Sequence, residues 1–381
     1  MENSNLFGAA EIKVTEQMPT RVLSNNQPKI AVIGVGGGGC NMVNHMIEEG
    51  SHKIDLIVAN TDLQSLHSSK APKKIELGPK LTKGFGAGMN PEVGRDAAIE
   101  SYEEIKSILE GTEIVFVASG LGGGTGTGAA AIIAKAAKDV GALTVSVVTK
   151  PFAWEGKKRA GLANLGLEEL KKVSDSLIVI PNEKLNEIVD VGLTFKNSFK
   201  IVDNVLYQAV IGMSEVILNP GHSDINTDFA DVKTIMKHKG IALMGIGKGK
   251  GENSVQQALD NAINSPLLDK VPLEGAKGIL IHFSMSPNIT LFAISSVMST
   301  IHDKLDQNAD IIFGTTTDKT LENDEIKVTI IATGFDSKNE DREQNELPNE
   351  EGEQKAVPID SENYLDTPPL MRDYKIQYVL K

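Results

Sequence analysis

The chain has 381 residues, of which 40% are hydrophobic and 23% are charged, and its formal net charge at pH 7 is −13. This composition is ordinary for a globular protein with two domains, and the acidic balance argues against a nucleic-acid partner, whose phosphates normally require a basic surface. The single cysteine, Cys40, excludes an intramolecular disulfide. No apolar run approaches the roughly 18–20 residues of a membrane-spanning helix, and the first residues do not resemble a signal peptide, so we expect a cytoplasmic protein without direct membrane insertion.

The first half of the chain alternates strand-like and helix-like segments. Residues 1–27 are polar and patternless, which predicts a flexible extension. Short, continuous apolar runs follow at residues 29–33, 54–59, 114–118, 143–148 and 177–180, with helical stretches at 91–110 and 128–140. Apolar runs of this length are typical of strands buried on both faces, and their alternation with helices predicts a parallel sheet with right-handed crossovers.

A long helix separates this half from a second α/β region. Residues 194–218 carry apolar side chains at helical spacing, and Asn219-Pro220-Gly221 ends the run. A helix of this length spans roughly 36 Å, enough to run the height of a domain. Strands are then predicted at residues 240–245, 276–283, 309–313 and 327–332, with helices at 228–237, 254–263 and 291–305.

Residues 119–128 form the most informative segment, Ser-Gly-Leu-Gly-Gly-Gly-Thr-Gly-Thr-Gly. It lies between an apolar strand-like run and an alanine-rich helical run. Backbone without side chains can approach an anion closely, and the N-terminus of the following helix adds the positive end of its dipole. The segment therefore predicts a polyphosphate ligand of the nucleotide class, although glycine-rich loops also serve as plain connections.

A second glycine cluster at residues 34–39 matches the G-x-G-x-x-G pattern directly after the first strand. Taken alone it indicates a dinucleotide-binding oxidoreductase, and Asn60 and Asp62 stand about where a ribose-binding acid would fall. A single dinucleotide site does not need the second loop at 119–128. No G-x-x-x-x-G-K-[ST] motif occurs, so a P-loop nucleotidase is excluded.

Two glycine loops after neighbouring strands, followed by a long central helix, resemble the tubulin/FtsZ family of GTPases, and within it the bacterial cell-division branch. Residues 122–128 match the tubulin signature loop, and the glycine cluster followed by Cys40 and Asn41 matches the FtsZ form. The resemblance implies a Rossmann-like parallel-sheet GTPase domain, joined by a long central helix to a second α/β domain. The implied organisation is an extension (1–27), a GTP-binding domain (28–193), the central helix (194–221), a C-terminal domain (222–335), an acidic linker (336–361) and a docking peptide (362–381).

The resemblance also implies a set of nucleotide contacts for GTP or GDP. Asp203 and Asn182 would read guanine, whose N1–H and amine both donate to a carboxylate, while Phe199 stacks on the ring; adenine would leave that carboxylate unpaired. Glu155 and Arg159 would bind the ribose and phosphate side, and the segment holding Gly88 and Asn90 would sense the γ-phosphate. Mg²⁺ would be held mainly by the nucleotide, with no metal site formed by protein side chains. The remaining implied contacts are Gly36, Gly37, Gly38, Gly39, Asn41, Asn60, Asp62, Gly122, Gly123, Gly124, Thr125, Gly126, Thr127, Thr149 and Pro151.

The segment Asn226-Thr227-Asp228-Phe229-Ala230-Asp231 has two interpretations. Locally, Asp228 and Asp231 resemble an N-cap and a capping-box acid at the start of a helix. The segment also matches the synergy loop of the family. That match implies that Asp228 and Asp231 polarise a water for attack on the γ-phosphate of a neighbouring subunit, with Asn226 contacting the phosphates. Hydrolysis would then depend on head-to-tail assembly into an open filament.

The C-terminal segment is a candidate docking peptide. Residues 336–366 carry eleven acidic and three basic residues, and Tyr364-Leu365-Asp366 begins a short apolar motif that ends near Arg372. It resembles the terminal peptide of the family, with Thr367 and Pro369-Leu370 departing from the usual pattern. The implied partners are a membrane-tethering division adaptor of the FtsA type, bound through residues 364–372, and other division regulators, at midcell on the inner face of the membrane.

Three other functions compete with a division GTPase. An NAD-dependent oxidoreductase fits the first glycine cluster alone. A tubulin-like filament for DNA or plasmid partitioning would share hydrolysis but should lack the docking peptide. A non-enzymatic tubulin-like scaffold would lack Asp228 and Asp231, which are present here.

Overall fold

The computed structural model describes residues 28–50, 54–185, 195–218, 229–238, 240–265, 268, 273–305, 309–318 and 321–335. The predicted extension, acidic linker and docking peptide lie outside these residues, as do Asn226 and Asp228. Within the described ranges, no helix is both long enough and apolar enough to cross a bilayer.

The first half of the chain is a β-α-β succession. Its elements are β1 (Ile30–Val35), α1 (Gly36–Glu48), β2 (Asp55–Asn60), α2 (Leu63–Ser68), β3 (Lys73–Glu76), α3 (Pro79–Thr82), α4 (Pro91–Glu100), α5 (Tyr102–Leu109), β4 (Ile114–Gly120), α6 (Thr125–Asp139), β5 (Leu143–Lys150), α7 (Lys157–Val173), β6 (Ser176–Pro181) and α8 (Asn182–Leu185). Strands β1 to β6 pair in parallel in the order β3-β2-β1-β4-β5-β6. All residues of β1 are buried, as expected of a strand covered on both faces.

The second half follows the long helix α9 (Phe195–Leu218). Its elements are α10 (Phe229–Met236), β7 (Ile241–Lys250), α11 (Ser254–Ile263), β8 (Gly278–Met285), α12 (Leu291–His302), β9 (Asp310–Thr317) and β10 (Glu325–Thr333). Strand β10 is antiparallel to both β7 and β8, and β9 pairs with β8 in parallel. The first residues of β7 pair with the start of β6, which joins the two halves into one ten-stranded sheet.

Strand β7 lies unusually close to helix α11. A Cβ atom on Gly245, Gly247 or Gly249 would come within 2.1, 1.9 and 1.9 Å of backbone oxygens of α11. Glycines at every second position leave one face of the strand without side chains, because successive side chains point to opposite faces of a strand. The helix therefore packs against the backbone of β7 rather than against side chains.

The predicted helix at residues 91–110 is two helices that meet at Ser101. The backbone there has left the helical region, with φ −95° and ψ 15°. The Ser101 hydroxyl accepts a hydrogen bond from the Gly78 amide at 3.1 Å and donates one to the Glu76 carbonyl at 3.1 Å. These two bonds tie Ser101 to the end of β3 and to the residue before α3. The Ser101 amide still donates to the Ala97 carbonyl and the Ser101 carbonyl still accepts from the Ile105 amide, so one helix follows the other directly.

Candidate functional site

A cavity of about 360 Å³ opens at the carboxyl edge of the parallel strands. In open α/β sheets ligands bind at this edge, because the strand ends and the following helix N-termini converge there. The cavity brings together many of the predicted nucleotide contacts, from six different elements and their loops. They are Gly37, Gly38, Asn41, Gly123, Gly124, Thr125, Gly126, Thr149, Pro151, Glu155, Arg159, Asn182, Phe199 and Asp203.

The two glycine loops pack against each other at the floor of the site. A Cβ atom on Gly36, which has φ +69°, would lie 2.8 Å from the Gly126 amide nitrogen, and one on Gly38 would lie 3.2 Å from the Gly120 nitrogen. A Cβ atom on Gly126 would come within 2.5 Å of the Gly120 carbonyl oxygen. Packing therefore requires glycine at Gly36 and Gly126 and leaves little room for a side chain at Gly38.

Gly37 and Gly123 are glycines for a different reason. Both line the cavity, and a Cβ atom on either would meet nothing within 4 Å. Protein packing does not exclude a side chain at these two positions, but a ligand that approaches the backbone closely would. These two residues therefore offer bare backbone to the cavity.

Helices α1 and α6 direct their N-termini to this region. Neither helix has a side-chain cap, and neither carries an acidic residue in its first turn. Their first amides have no intrahelical partner, and the helix dipoles place positive charge at this end. Together these features form an anion site suited to phosphate groups.

The threonines of the second loop stabilise its shape. The Thr127 hydroxyl accepts a hydrogen bond from the Gly122 amide at 2.8 Å, and Gly122 has φ +99°. The Thr125 hydroxyl lies 2.7 Å from that of Thr61. Thr125 also lines the cavity, whereas Thr127 and Gly122 do not.

The opposite end of the cavity carries acceptors in an apolar setting. Burial raises the pKa of Asp203 to about 6, and the charge of nearby His45 partly opposes that rise. The Oδ1 atom of Asn182 is buried and has no hydrogen-bond partner among the residues that the structure describes. A buried acceptor without a partner is costly, so both side chains favour a ligand that brings donors. Phe199 lines the same cavity. Its ring meets the ring of Phe152 edge to face, with the ring centroids 5.9 Å apart.

Glu155 and Arg159 form an ion pair at the side of the cavity. One carboxylate oxygen of Glu155 accepts a hydrogen bond from the Arg159 guanidinium, and the other accepts one from the Phe152 amide at 2.9 Å. The pair joins the short turn after β5 to the first turn of α7. Arg159 is thereby held at the cavity with donor groups to spare for a phosphate or a ribose.

Several predicted contacts lie outside the cavity wall and have structural roles of their own. Asp62 caps helix α2 through the Gln64 amide at 2.9 Å, and Asn90 caps α4 through the Glu92 amide at 3.0 Å. Asn60 donates a long hydrogen bond to the Cys40 thiol at 3.8 Å. The others outside the wall are Gly36, Gly39, Gly88, Gly122 and Thr127. Their contacts with a nucleotide stay predictions.

Four lining residues were missed by the sequence reasoning: Gly120, Leu121, Val202 and Leu206. Leu121 interrupts the glycine loop, where an apolar residue gives no signal of ligand contact. Val202 and Leu206 share a face of α9 with Phe199 and Asp203, since residues three and four apart lie together on a helix. That spacing could have identified both.

Asp231 lies at the start of α10 and is exposed to solvent. Helix α10 packs on the second half of the sheet, where the Thr333 hydroxyl donates to the Ile235 carbonyl at 3.0 Å. Asp231 does not line the cavity. Asn226 and Asp228 fall outside the described residues, so the proposed catalytic set is seen here only through Asp231.

Two family models match the chain. Residues 29–190 match the GTPase domain of the Tubulin/FtsZ family, and residues 240–336 match the C-terminal domain of the FtsZ family. The two matches together cover the whole sheet.

Solved structures give the same result. An FtsZ dimer from M. jannaschii, described as empty, is 46% identical with a TM-score of 0.76, and the match covers 82% of this chain and 90% of that one. A tryptophan-to-tyrosine mutant of M. jannaschii FtsZ is 47% identical with a TM-score of 0.76, covering 81% and 92%. A CetZ2 protofilament from Haloferax volcanii, described as GTPγS-bound, is 20% identical with a TM-score of 0.67, covering 81% and 93%, and shows the fold alone.

Proposed function

Because this chain belongs to the tubulin/FtsZ family of GTPases, we propose that it hydrolyses GTP at the contact between subunits of a head-to-tail polymer that builds the cell-division ring. The observation that carries the proposal is the cavity itself. It combines glycine backbone and helix N-termini at one end with the Asp203 carboxylate and the Asn182 Oδ1 atom at the other, and that Oδ1 atom has no partner among the described residues. A guanine nucleotide presents phosphates and paired base donors at matching ends.

We propose that the nucleotide lies along the cavity in one direction. Its phosphates contact Gly37, Gly123 and the amides that begin α6, where an added side chain would obstruct them. Its ribose lies beside Glu155 and Arg159. Guanine then reaches Asp203 and Asn182, which accept from its N1–H and amine and leave adenine without equivalent donors.

Mg²⁺ is proposed to be held chiefly by the phosphate oxygens. Among the described residues, no group of three His, Cys, Asp or Glu side chains is placed to bind a metal ion. Mg²⁺ prefers oxygen ligands and commonly binds through substrate phosphates with few protein ligands, which this set of residues allows. When bound, the cation offsets phosphate charge.

The position of α10 supports a reaction centre that is divided between subunits. Helix α9 lines the cavity as far as Leu206, and its last residue, Leu218, lies roughly 18 Å further along the helix axis. Strand β7, which follows α10, begins beside the first residues of β6, at the edge of the sheet opposite the cavity. Both observations support the proposal that Asp231 acts on the phosphates of a neighbouring subunit and not on those of its own.

In the proposed reaction, a water bound by Asp228 and Asp231 of one subunit attacks the γ-phosphorus in the cavity of the next. The new P–O bond forms as the bond to the β–γ bridging oxygen breaks, which releases GDP and phosphate. The carboxylates orient the water and receive its proton. Asn226 contributes a polar contact to the phosphates. The subunit contact is heterologous, and its repetition without closure gives an open filament.

The finer assignments of partner and location are also proposals. The acidic linker and the segment at residues 364–372 would connect the filament to a membrane-tethering adaptor at midcell, supported by the sequence of that segment. A short apolar motif at the end of an acidic tether is a common docking arrangement.

The test is phosphate release measured over a range of protein concentrations, with light scattering to follow assembly. The native protein should show turnover per subunit that rises with assembly. Asp231→Ala and Asp228→Ala should bind GTP but lose turnover by about two orders of magnitude or more, as expected for loss of a group that positions the attacking water. Asp260→Ala, which removes an exposed acid from α11, is the control and should keep native turnover. Equal turnover in monomeric and assembled samples would refute the divided site.

A further inference from the structure

A row of three aromatic rings runs from the cavity wall to the protein surface. Phe199 lines the cavity, four residues before Asp203 and so on the same face of α9. Phe152 is 5% exposed, and its ring meets that of Phe199 edge to face, with centroids 5.9 Å apart and planes at 81°. The ring of Trp154, which is 61% exposed, stacks on that of Phe152, with centroids 5.3 Å apart and planes at 18°. Phe152 is therefore the middle ring of the row and does not itself line the cavity.

The backbone around Phe152 is held by side chains from both flanks of the cavity. The Phe152 amide donates a hydrogen bond to the Glu155 carboxylate at 2.9 Å. The next amide, that of Ala153, donates to the Glu183 carboxylate at 2.8 Å, and Glu183 directly follows Asn182 in the chain. Both donors are main-chain groups, so a substitution at position 152 keeps them and removes only the ring.

We propose that Phe152 is a positioning residue for guanine binding, whose ring fixes the plane of Phe199 so that Phe199 presents its face to the base. The inference rests on the proposed function and on the stacking role expected of Phe199, and it adds what orients that ring. An edge-to-face pair at this separation is a favoured arrangement of two aromatic rings. A phenylalanine ring turns about its last side-chain bond, whereas a base stacks only on the face of a ring. A leucine at position 152 would occupy much of the same space but would give Phe199 no ring to pack against.

The expected consequence is a loss of affinity that depends on the base. Phe152→Leu should weaken GDP binding about three- to tenfold, which is part of what a base gains by stacking on an aromatic side chain. Inorganic pyrophosphate carries phosphates but no base. Its affinity should stay at the native value, because the glycine loops proposed to hold phosphate are unchanged.

The experiment measures both affinities by calorimetry with dilute full-length protein, with pyrophosphate titrated in competition with GDP. Pyrophosphate binding also shows that a variant is folded. Phe152→Met, whose flexible side chain adapts to the same space without a ring, should show the same difference between the two ligands. Phe116→Leu is the matched control, because Phe116 on β4 is buried in the same core cluster but does not line the cavity. It should keep the native affinity for both ligands.

A double variant tests whether Phe152 acts through Phe199. Phe199→Ala alone should weaken GDP binding at least as much as Phe152→Leu does. Phe152→Leu combined with Phe199→Ala should bind GDP no more weakly than Phe199→Ala alone, because the ring that needs orientation is then missing. A further loss in the double variant would overturn the positioning role.

The remaining outcomes separate this inference from the proposed function. Equal losses of affinity for GDP and pyrophosphate in Phe152→Leu would overturn the positioning role, because the ring would then support the whole site. Native GDP affinity in Phe152→Leu would overturn it as well. Native GDP affinity in Phe199→Ala would remove the stacking contact on which the inference rests. Failure of the native protein to bind GDP would instead overturn the proposed function.

Discussion

Asp203 is partly buried in the wall of the cavity, and this burial disfavours its ionised form. Its pKa of about 6 in the folded protein lies above the ordinary value of 3.8. The empty folded protein therefore binds this proton more tightly than the unfolded chain does. As pH rises from 3.8 to 6 that advantage is lost, and above pH 6 the ionised group lowers the free energy of unfolding by at most about 3 kcal/mol.

Asp203→Asn should consequently stabilise the nucleotide-free protein while weakening GTP binding. At pH 7.5 we expect the free energy of unfolding to rise by about 1–2 kcal/mol, less than the full penalty because the amide also lacks partners. Most of the gain should disappear by pH 4, where the native carboxyl is protonated. Denaturant unfolding at the two pH values measures this. A variant less stable than the native protein at pH 7.5 would mean that the carboxylate has a stabilising partner.

Burial acts in the same direction on Cys40, which lies in the same region. Burial raises the pKa of its thiol to about 11, with opposing contributions from hydrogen bonds to Asn60 and Ser65. The thiolate, which is the reactive form, is therefore scarce at neutral pH. Cys40 fills space behind the first glycine loop, which agrees with its place in the hydrophobic core.

At the scale of elements, the glycine pattern of β7 determines how closely α11 can approach. Gly247→Ala would place a Cβ atom 1.9 Å from the Ala258 carbonyl oxygen and 2.4 Å from the Ala262 nitrogen. Both neighbours are backbone, so the strand and helix must separate. We expect a loss of about 3 kcal/mol in the free energy of unfolding, in the range of overpacked core substitutions.

Gly161→Ala is the matched control for that substitution. Gly161 lies within α7, and a Cβ atom there meets nothing within 4 Å. Alanine favours the helix, so this variant should gain about 0.5–1 kcal/mol. If the two variants lost stability equally in denaturant unfolding, close packing of β7 on α11 would not be the cause.

The elements that were predicted well from the sequence are those whose apolar residues form a continuous run or recur at helical spacing. Strands β4 and β5, helix α11 and the long helix α9 were expected within a few residues of their observed bounds. Strand β3 was missed because Lys73-Lys74-Ile75-Glu76 contains only one apolar residue. It forms at the sheet edge by pairing with β2. The residues of β3 do not themselves predict that long-range pairing.

The site was predictable to the extent that motif residues carry it. The loop at residues 119–128 was predicted from its own glycines and its flanking strand and helix, whereas the role of Asp203 came from the family resemblance. The cavity brings both together. Leu121 could not be assigned in the same way, since its place at the cavity comes from packing between distant elements. Only the folded chain shows that Leu121 lines the cavity.

At the scale of the whole molecule, the fold places the cavity and α10 in different halves of one continuous sheet. The cavity belongs to the carboxyl edge of the parallel strands, and α10 packs on the second half beside β8 and β9. In the proposed mechanism, a subunit with this arrangement would expose one part of the reaction centre at each end. The free subunit would then be a poor enzyme, and contact between subunits would complete it.

A mixing experiment tests this division directly. Asp231→Ala retains an intact cavity but lacks an acid, whereas Asp203→Asn retains the acids but binds GTP poorly. Each variant alone should release phosphate slowly. In an equal mixture, the intact acids of one variant can dock on the occupied cavity of the other, so phosphate release should exceed the sum of the separate rates. A double variant that carries both substitutions, mixed with Asp231→Ala, is the control and should give no such gain, because neither partner then supplies Asp231. If the mixture of single variants were no faster than its components, the acids and the nucleotide would have to act within one subunit.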